Sequence, residues 1–198
     1  MRGRFSYALT VTLAAVLVAL LVGPAAAVTF NVLESDQAHT VVEIEIPRAE
    51  LSSVQLEGLT YDLLTFDGAH AYGDVGDPTL AVAATLIAVP PSSGVELRVL
   101  DAQYETMSCG RLLPVQEQDR EPGTELAYNA DAYARGSLFP ENAVAIGDPA
   151  IMRDYRVVPL RFYPASYDAK AGELRIATRM TVELSYDAPG RTNVKTTA

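Results

Sequence analysis

The sequence has little of what most catalytic and metal-binding sites require. Its 198 residues include one cysteine, two histidines and no tryptophan. A single cysteine excludes an internal disulfide and any zinc site built from several thiolates, and two histidines leave few ligands for a histidine-rich metal centre. The formal net charge of −10 argues against nucleic-acid binding, which needs a basic surface. The sequence also lacks the motifs of P-loop, dinucleotide-binding, serine hydrolase and zinc protease sites.

The longest apolar run lies at the N-terminus, which has the pattern of a secretory signal peptide. Two arginines precede an apolar stretch over residues 8–22, and a Gly-Pro pair then leads into Ala25-Ala26-Ala27. This order is typical of a cleaved signal, and we expect cleavage after Ala27. The alternative is an uncleaved anchor, but the stretch is short for a span of ~20 residues. The sequence therefore predicts a signal peptide over 1–27, with export to the periplasm, cell surface or medium and no membrane attachment after cleavage.

The rest of the chain has the alternation of β-strands and no long amphipathic helix. Apolar and polar residues alternate over 40–46 and, most clearly, over 174–186. The apolar stretch 80–89 fits a buried strand or a short helix, of which we favour the strand. Pro159, inside the strand-like segment 155–163, predicts an edge strand or a bulge. Seven or eight such strands predict an all-β fold, an antiparallel β-sandwich or jelly roll.

Two segments are predicted to be irregular. Residues 114–123 are polar and bounded by proline and glycine, so we expect an exposed loop. Residues 187–198 lose all periodicity and predict a linker or tail. The organisation expected is a signal over 1–27, one β-domain over 28–186 and this tail.

Chemically useful side chains are sparse, and most have ordinary explanations. Cys109 has no neighbouring base in the sequence, which favours a structural thiol over a nucleophile. A free enzyme that uses this thiol is thus the least favoured function. Three aspartates of a turn-rich segment could offer oxygen ligands to calcium: Asp67, Asp74 and Asp77. Their spacing is not that of an EF-hand, so we expect turn residues and predict no metal and no cofactor.

Two blocks of the sequence resemble the prodomain of gingipain-type cysteine peptidases. The more specific block runs through Asp148-Pro149, Arg153-Asp154 and Arg156, and its likeness continues along the strand-like segments that follow. An upstream block that begins at Gly76-Asp77-Pro78 is similar to a strand entry of the same family, with Ala81 at the position of its usual second proline. The resemblance covers roughly 40–186.

The resemblance implies a β-sandwich prodomain that helps a protease domain to fold and blocks its active site until proteolytic removal. The implied partner is a cysteine protease catalytic domain, in cis or in trans. A basic side chain on an exposed loop would then occupy the specificity pocket, because a guanidinium pairs well with a pocket carboxylate. The matching residue on the 114–123 loop is Arg120, with Arg111 and Arg135 as alternatives.

Two further expectations concern the end of the chain. The motif residues are interpreted as a structural salt-bridge turn rather than a protease contact: Asp148, Pro149, Arg153, Asp154 and Arg156. Arg191 is a candidate processing site in the tail, with Lys195 as the second choice.

The chain itself is not expected to be an enzyme, because no Cys/His dyad of the family's protease domain is apparent in it. It is either part of a longer precursor or a domain that acts in trans. The competing function is a secreted β-sandwich module for binding or adhesion, without a protease partner. The absence of tryptophan and the dispersal of the ten tyrosines weaken that alternative, since such modules usually present an aromatic platform.

Overall fold

The computed structural model describes residues 27–119, 121 and 124–195, and the described chain is almost entirely antiparallel β-structure. One helical turn, α1 (Ala130–Tyr133), interrupts it. The strands are β1 (Thr29–Ser35), β2 (His39–Glu45), β3 (Glu50–Leu56), β4 (Leu59–Thr65), β5 (His70–Tyr72), β6 (Leu80–Val89), β7 (Glu96–Ser108), β8 (Val144–Ile146), β9 (Ala150–Met152), β10 (Tyr155–Phe162), β11 (Ala165–Asp168) and β12 (Glu173–Ser185). The predicted all-β fold is confirmed, and the predicted signal over 1–27 lies, except for Ala27, outside the described residues.

Two five-stranded sheets form the two layers of the domain. In the first sheet β12 is central: β7 pairs along its whole length on one side, while β2 and β11 share the other side and β1 extends beyond β2. In the second sheet β10 lies between β6 and the short strands β8 and β9, and β5 pairs with β6. β3 and β4 form a separate hairpin.

The main core lies between the two sheets. Its buried side chains come from β2 and β12 on one side and from β6, β8 and β10 on the other. A second cluster, under the β3–β4 hairpin, is centred on Leu112, Leu174 and Tyr167. The alternation predicted for β12 holds except at Thr178, where a register shift against β7 leaves Ala177 buried instead.

The prediction that Pro159 marks an edge strand or a bulge is wrong. β10 is the middle strand of its sheet and pairs regularly with β6 from Arg156 to Phe162. The carbonyl of Pro159 accepts a hydrogen bond from the Gly147 amide, so its nitrogen also faces the side of β8 and β9. Those two strands are interrupted there, and the missing N–H therefore leaves no ladder partner unsatisfied.

The chain crosses between the layers immediately after β10. β10 belongs to the second sheet, and β11 begins in the first sheet after Tyr163 and Pro164. β11 and β12 form an antiparallel hairpin, in whose turn Asp168 Oδ1 accepts hydrogen bonds from the amides of Lys170 and Ala171. Among the described residues no helix is long and apolar enough to cross a membrane.

Candidate functional site

The predicted loop over 114–123 projects only in its second half. Pro114 is fully buried, and Val115 exchanges backbone hydrogen bonds with Gly76 and Asp77, each 2.8 Å long. Residues 117–119 and 121 are exposed. The expectation of an exposed loop is therefore wrong for the first residues of the segment, because Pro114 is buried and Val115 is bonded to the residues that precede β6.

A side chain closes the base of the projecting part, residues 117–126. Gln116 donates from Nε2 to the Ala127 carbonyl at 3.1 Å and accepts at Oε1 from the Ala127 amide at 3.0 Å. Just inside this closure, the Leu126 amide donates to Glu57 Oε1 at 3.2 Å. Arg120 lies outside the described residues, but both ends of the 117–126 loop that carries it are thus fixed to the domain. Fixing the ends limits the conformational entropy that this loop has to lose on binding.

The two alternative arginines are each engaged with an aromatic ring. The Arg111 guanidinium lies 5.5 Å from the centroid of Tyr128, and that of Arg135 lies 4.8 Å from the centroid of Phe139. Both side chains are exposed, and such cation–π contacts hold a guanidinium against the surface. Both arginines lie outside the 117–126 loop, Arg111 before it and Arg135 after α1.

Cys109 lines a cleft of about 330 Å³ next to Arg111, Tyr167 and Lys170. Burial, with a smaller contribution from the nearby charge of Asp62, raises the pKa of the Cys109 thiol to about 11. The thiolate is the nucleophilic form, so this cysteine is unreactive near neutral pH. The structure gives no support to a catalytic role for it.

Arg156 is the most buried charged residue among the motif positions, with 3% exposure. Its guanidinium donates to four backbone carbonyls, those of Pro90 (3.0 Å), Ser93 (2.6 Å), Thr192 (3.1 Å) and Asn193 (3.0 Å). These acceptors belong to the β6–β7 turn and to the C-terminal segment. The expected salt-bridge turn is therefore corrected for Arg156, whose described partners are carbonyls rather than carboxylates.

The C-terminal strap, residues 188–195, is docked rather than free. The Gly190 amide donates to the Ser92 carbonyl at 2.8 Å, and the Lys195 amide donates to that of Pro91 at 2.9 Å. Arg191 is exposed and lines a cleft of about 510 Å³ between the strap and the second sheet. The predicted tail is thus bonded to the β-domain over its described part, and the candidate processing residue in it is exposed.

The remaining motif residues gather around this strap. Arg153, at φ 54°, and Asp154 form the two-residue turn between β9 and β10. Lys195 Nζ donates to the Asp154 carbonyl at 2.8 Å and lies 3.4 Å from its carboxylate. The Pro149 carbonyl accepts from Asn193 Nδ2 at 2.5 Å, while Asp148 lines the cleft. The structure therefore brings the motif and both candidate processing residues together.

The aspartates considered for calcium have structural partners or lie apart. Asp77 is buried, and its carboxylate accepts from Asn129 Nδ2 at 2.7 Å. Within the described chain, one group of three side chains has its potential ligand atoms close enough together to hold a metal ion, and it consists of Glu34, Asp36 and His39. Asp67, Asp74 and Asp77 do not belong to this group. Those three pair with one another on the surface, Asp36 Oδ1 also accepting from the amides of its own turn.

The family model Propeptide_C25 matches residues 25–198, nearly the whole chain. The chain belongs to the Propeptide_C25 family. The resemblance found in the sequence is thereby confirmed, and the domain is a pro-region rather than the catalytic part of a cysteine peptidase.

Relatives of this Propeptide_C25 domain are gingipains of Porphyromonas gingivalis. Lys-gingipain HG66 is 29% identical over 146 residues, which are 69% of this chain and 8% of that protein. Gingipain R2 is 22% identical over 166 residues, which are 82% of this chain and 23% of that protein. The chain therefore spans less than a quarter of the length of these relatives.

Two solved structures share the fold. A complex of the pro- and mature domains of P. gingivalis RgpB has a TM-score of 0.75 at 21% identity and covers 85% of this chain and 90% of the matched one. A structure on the zymogenic latency of P. gingivalis gingipain K has a TM-score of 0.69 at 25% identity, with 85% and 96% covered. The β-layers described above are thus those of gingipain prodomains.

Sequence reasoning missed Gln116 and the partners of Arg156 in this Propeptide_C25 domain. Gln116, which closes the loop, bonds to a residue 11 positions away, and Arg156 bonds to carbonyls 36 to 66 positions away. No short motif encodes such partners. The signal available for Arg156 was its place in the Arg153-Asp154…Arg156 block.

Proposed function

We propose that this domain assists the folding of a gingipain-type cysteine endopeptidase and keeps it latent by blocking its active-site cleft until proteolysis removes the domain. The observation that carries the proposal is the match to the propeptide family over residues 25–198. The shared fold with the prodomain side of a pro- and mature-domain complex adds support. We also propose export by the signal over 1–27, with cleavage after Ala27.

The 117–126 loop is proposed as the blocking element, with Arg120 in the specificity pocket of the protease. Three features support it: the loop is closed at its base by Gln116, its described residues 117–119 and 121 are exposed, and the alternative arginines rest on aromatic rings. A guanidinium carried by a loop with fixed ends can pair with a pocket carboxylate at little ordering cost.

The proposal is tested by inhibition of an Arg-specific gingipain-type protease with the exported chain. Arg120→Ala is expected to weaken inhibition by about 30-fold or more, since a buried arginine anchor typically contributes at least 2 kcal/mol to binding. Arg111→Ala is the matched control and should change inhibition less than threefold. Equal inhibition by wild type and Arg120→Ala would show that a residue other than Arg120 occupies the specificity pocket. Absence of inhibition by the wild-type chain towards Arg- and Lys-specific members would contradict the proposed function.

Arg191 is proposed as the processing site, with Lys195 as the second choice. Its support is an exposed position in the strap, beside the cleft that it lines. Mass spectrometry of the released domain identifies the bond: a new C-terminus at Arg191 that is lost in Arg191→Gln supports this assignment, whereas cleavage at Lys195 in both proteins refutes it.

A further inference from the structure

The outer surface of the second sheet carries one charged side chain along β6, β9 and β10, that of the exposed Arg161 opposite Ala84. Strand register places Leu86 opposite Pro159 and Met152 opposite Tyr155 on this surface. Tyr155, Met152 and Leu86 are 69%, 52% and 49% exposed, while Val157, opposite Ala88 and Ala150, is buried. We name as the apolar face the outward residues Ala84, Leu86, Ala88, Ala150, Met152, Tyr155 and Pro159.

The outer surface of the first sheet is built in the opposite way. On its strands β2, β7 and β12, outward residues form ion pairs across strands, with Arg98 Nη2 3.0 Å from Glu183 Oε1 and Arg179 bonded to Glu43, while the edge strand β1 exposes Val32 and Leu33. That surface is suited to solvent, as expected for a sheet with one wet side. A sandwich of this size needs only its inner faces to be apolar, so the apolar face on the second sheet points to a partner.

The described end of the chain lies at the rim of the apolar face. Lys195 is held on the carbonyl of Asp154, which precedes Tyr155 in the β9–β10 turn. In the gingipain relatives the matched span is 8% to 23% of the protein, so most of each relative lies outside a domain of this kind. A domain continuing from the strap would be tethered beside Tyr155 and Met152.

The apolar face and the 117–126 loop lie towards different ends of β6. The loop base is bonded to Asp77, shortly before β6 begins at Leu80, whereas Leu86 and Ala88 lie near its end. Eight residues of strand span about 26 Å. The two features can therefore contact separate parts of one large partner.

We propose that the apolar face is the surface by which this domain docks on the mature cysteine peptidase domain, against a complementary uncharged patch of that domain. This proposal rests on the proposed function. The loop blocks the cleft, and the apolar face supplies the non-polar contact area that holds the prodomain in place. Charged substitutions on the face should therefore weaken binding even though they lie far from the loop.

The experiment measures binding of the exported chain to a mature gingipain-type protease by surface plasmon resonance. Leu86→Glu and Tyr155→Glu are each expected to weaken binding at least tenfold. Leu33→Glu is the matched control, because Leu33 is an equally exposed leucine, at 58%, on β1 of the other sheet; it should change binding less than twofold. Thermal melting checks that each variant is folded. If Leu86→Glu or Tyr155→Glu does not fold, Tyr155→Ser is measured in its place.

Three results would overturn the proposal. Wild-type binding that is retained within twofold by both face variants would refute the docking surface while leaving the proposed function intact. A wild-type chain that neither binds nor inhibits the protease would refute the proposed function itself. A wild-type dimer that Leu86→Glu and Tyr155→Glu both convert to monomer, without loss of protease binding, would assign the face to a second copy of this chain.

Discussion

Replacing Arg156 with alanine tests whether one guanidinium holds the C-terminal strap to the β-domain. The side chain is 3% exposed and donates to two carbonyls of the β6–β7 turn and two of the strap. Alanine removes all four donors at once and leaves the carbonyls facing the space that the side chain filled. Among the described residues, the strap then keeps its backbone bonds to Pro91, Ser92 and Gly94 and the contacts of Asn193 and Lys195.

The expected loss of stability is about 3 kcal/mol. A single hydrogen bond from a charged donor contributes about 1.5–3 kcal/mol, but four bonds to one group are not additive. The neighbouring cleft of about 510 Å³ also lets water reach the abandoned carbonyls, which reduces the loss. For a domain of this size each kcal/mol corresponds to roughly 2–4 °C in Tm. Arg156→Ala should therefore melt about 6–12 °C below the wild type.

Limited proteolysis measures the strap separately from the rest of the domain. Trypsin cleavage after Arg191 requires local opening of the strap, and its rate follows the population of the open state. We expect cleavage in Arg156→Ala to be at least tenfold faster, with the fragments identified by mass spectrometry. Arg156→Lys keeps a charge but lacks the planar fork, so it should restore only part of the protection.

The matched control is Arg98→Ala, which removes an arginine whose side chain is 70% exposed in its pair with Glu183. Such surface pairs contribute about 1 kcal/mol or less, so its Tm should fall by no more than about 4 °C. The reasoning is refuted if Arg156→Ala melts within 2 °C of the wild type and its Arg191 bond is cleaved at the wild-type rate. In that case the strap is held by its backbone bonds alone.

Two further predictions concern Cys109 and Asn129. Because burial raises the pKa of Cys109 from 9.0 to about 11, alkylation by iodoacetamide should be slow at pH 8 and accelerate between pH 9 and 11. The contribution of the Cys109 thiol to the free energy of unfolding is complete below pH 9 and is lost as the pH rises towards 11. A fast reaction with iodoacetamide at pH 8 in the folded protein would contradict the raised pKa. Asn129→Ala should lower the free energy of unfolding in urea by about 2 kcal/mol, because its side chain both caps α1 and donates to Asp77. The exposed Asn142→Ala is its control, and equal effects of the two variants would argue against this dual role.

Strand positions were predictable wherever burial follows the alternation of the sequence. The stretch 80–89 coincides with β6, and the segment 40–46 contains nearly all of β2. β2 buries alternate residues in the main core, whereas β6 is a nearly continuous apolar run that contributes to both clusters, so hydrophobicity alone marks the two strands. The alternation of apolar and polar residues does not indicate, however, which strands pair with each other. It could not show that the chain changes sheets at Pro164, nor that Pro159 faces the interruption between β8 and β9.

The candidate site was predictable in its residue types and less so in its geometry. The resemblance to the family motif drew attention to Arg156, but an arginine in sequence suggests a carboxylate partner. Its described acceptors are main-chain carbonyls, which any residue supplies, so no side-chain pattern could reveal them. The burial of Pro114 could not be predicted either, because a proline marks a turn whether or not that turn is buried.

The position of Arg191 within the strap connects processing to release. The bond after Arg191 divides the strap, so that Ala188 and Gly190 stay with the β-domain while Thr192, Asn193 and Lys195 pass to the downstream side. The contacts of these last three with Arg156, Pro149 and Asp154 are intramolecular before cleavage. After cleavage at the proposed site they become contacts between separate chains and lose the effective concentration that the tether supplied. Cleavage at the proposed site would therefore weaken the hold of the prodomain without altering the 117–126 loop or the apolar face, and under the proposed function one cut at the strap would begin activation.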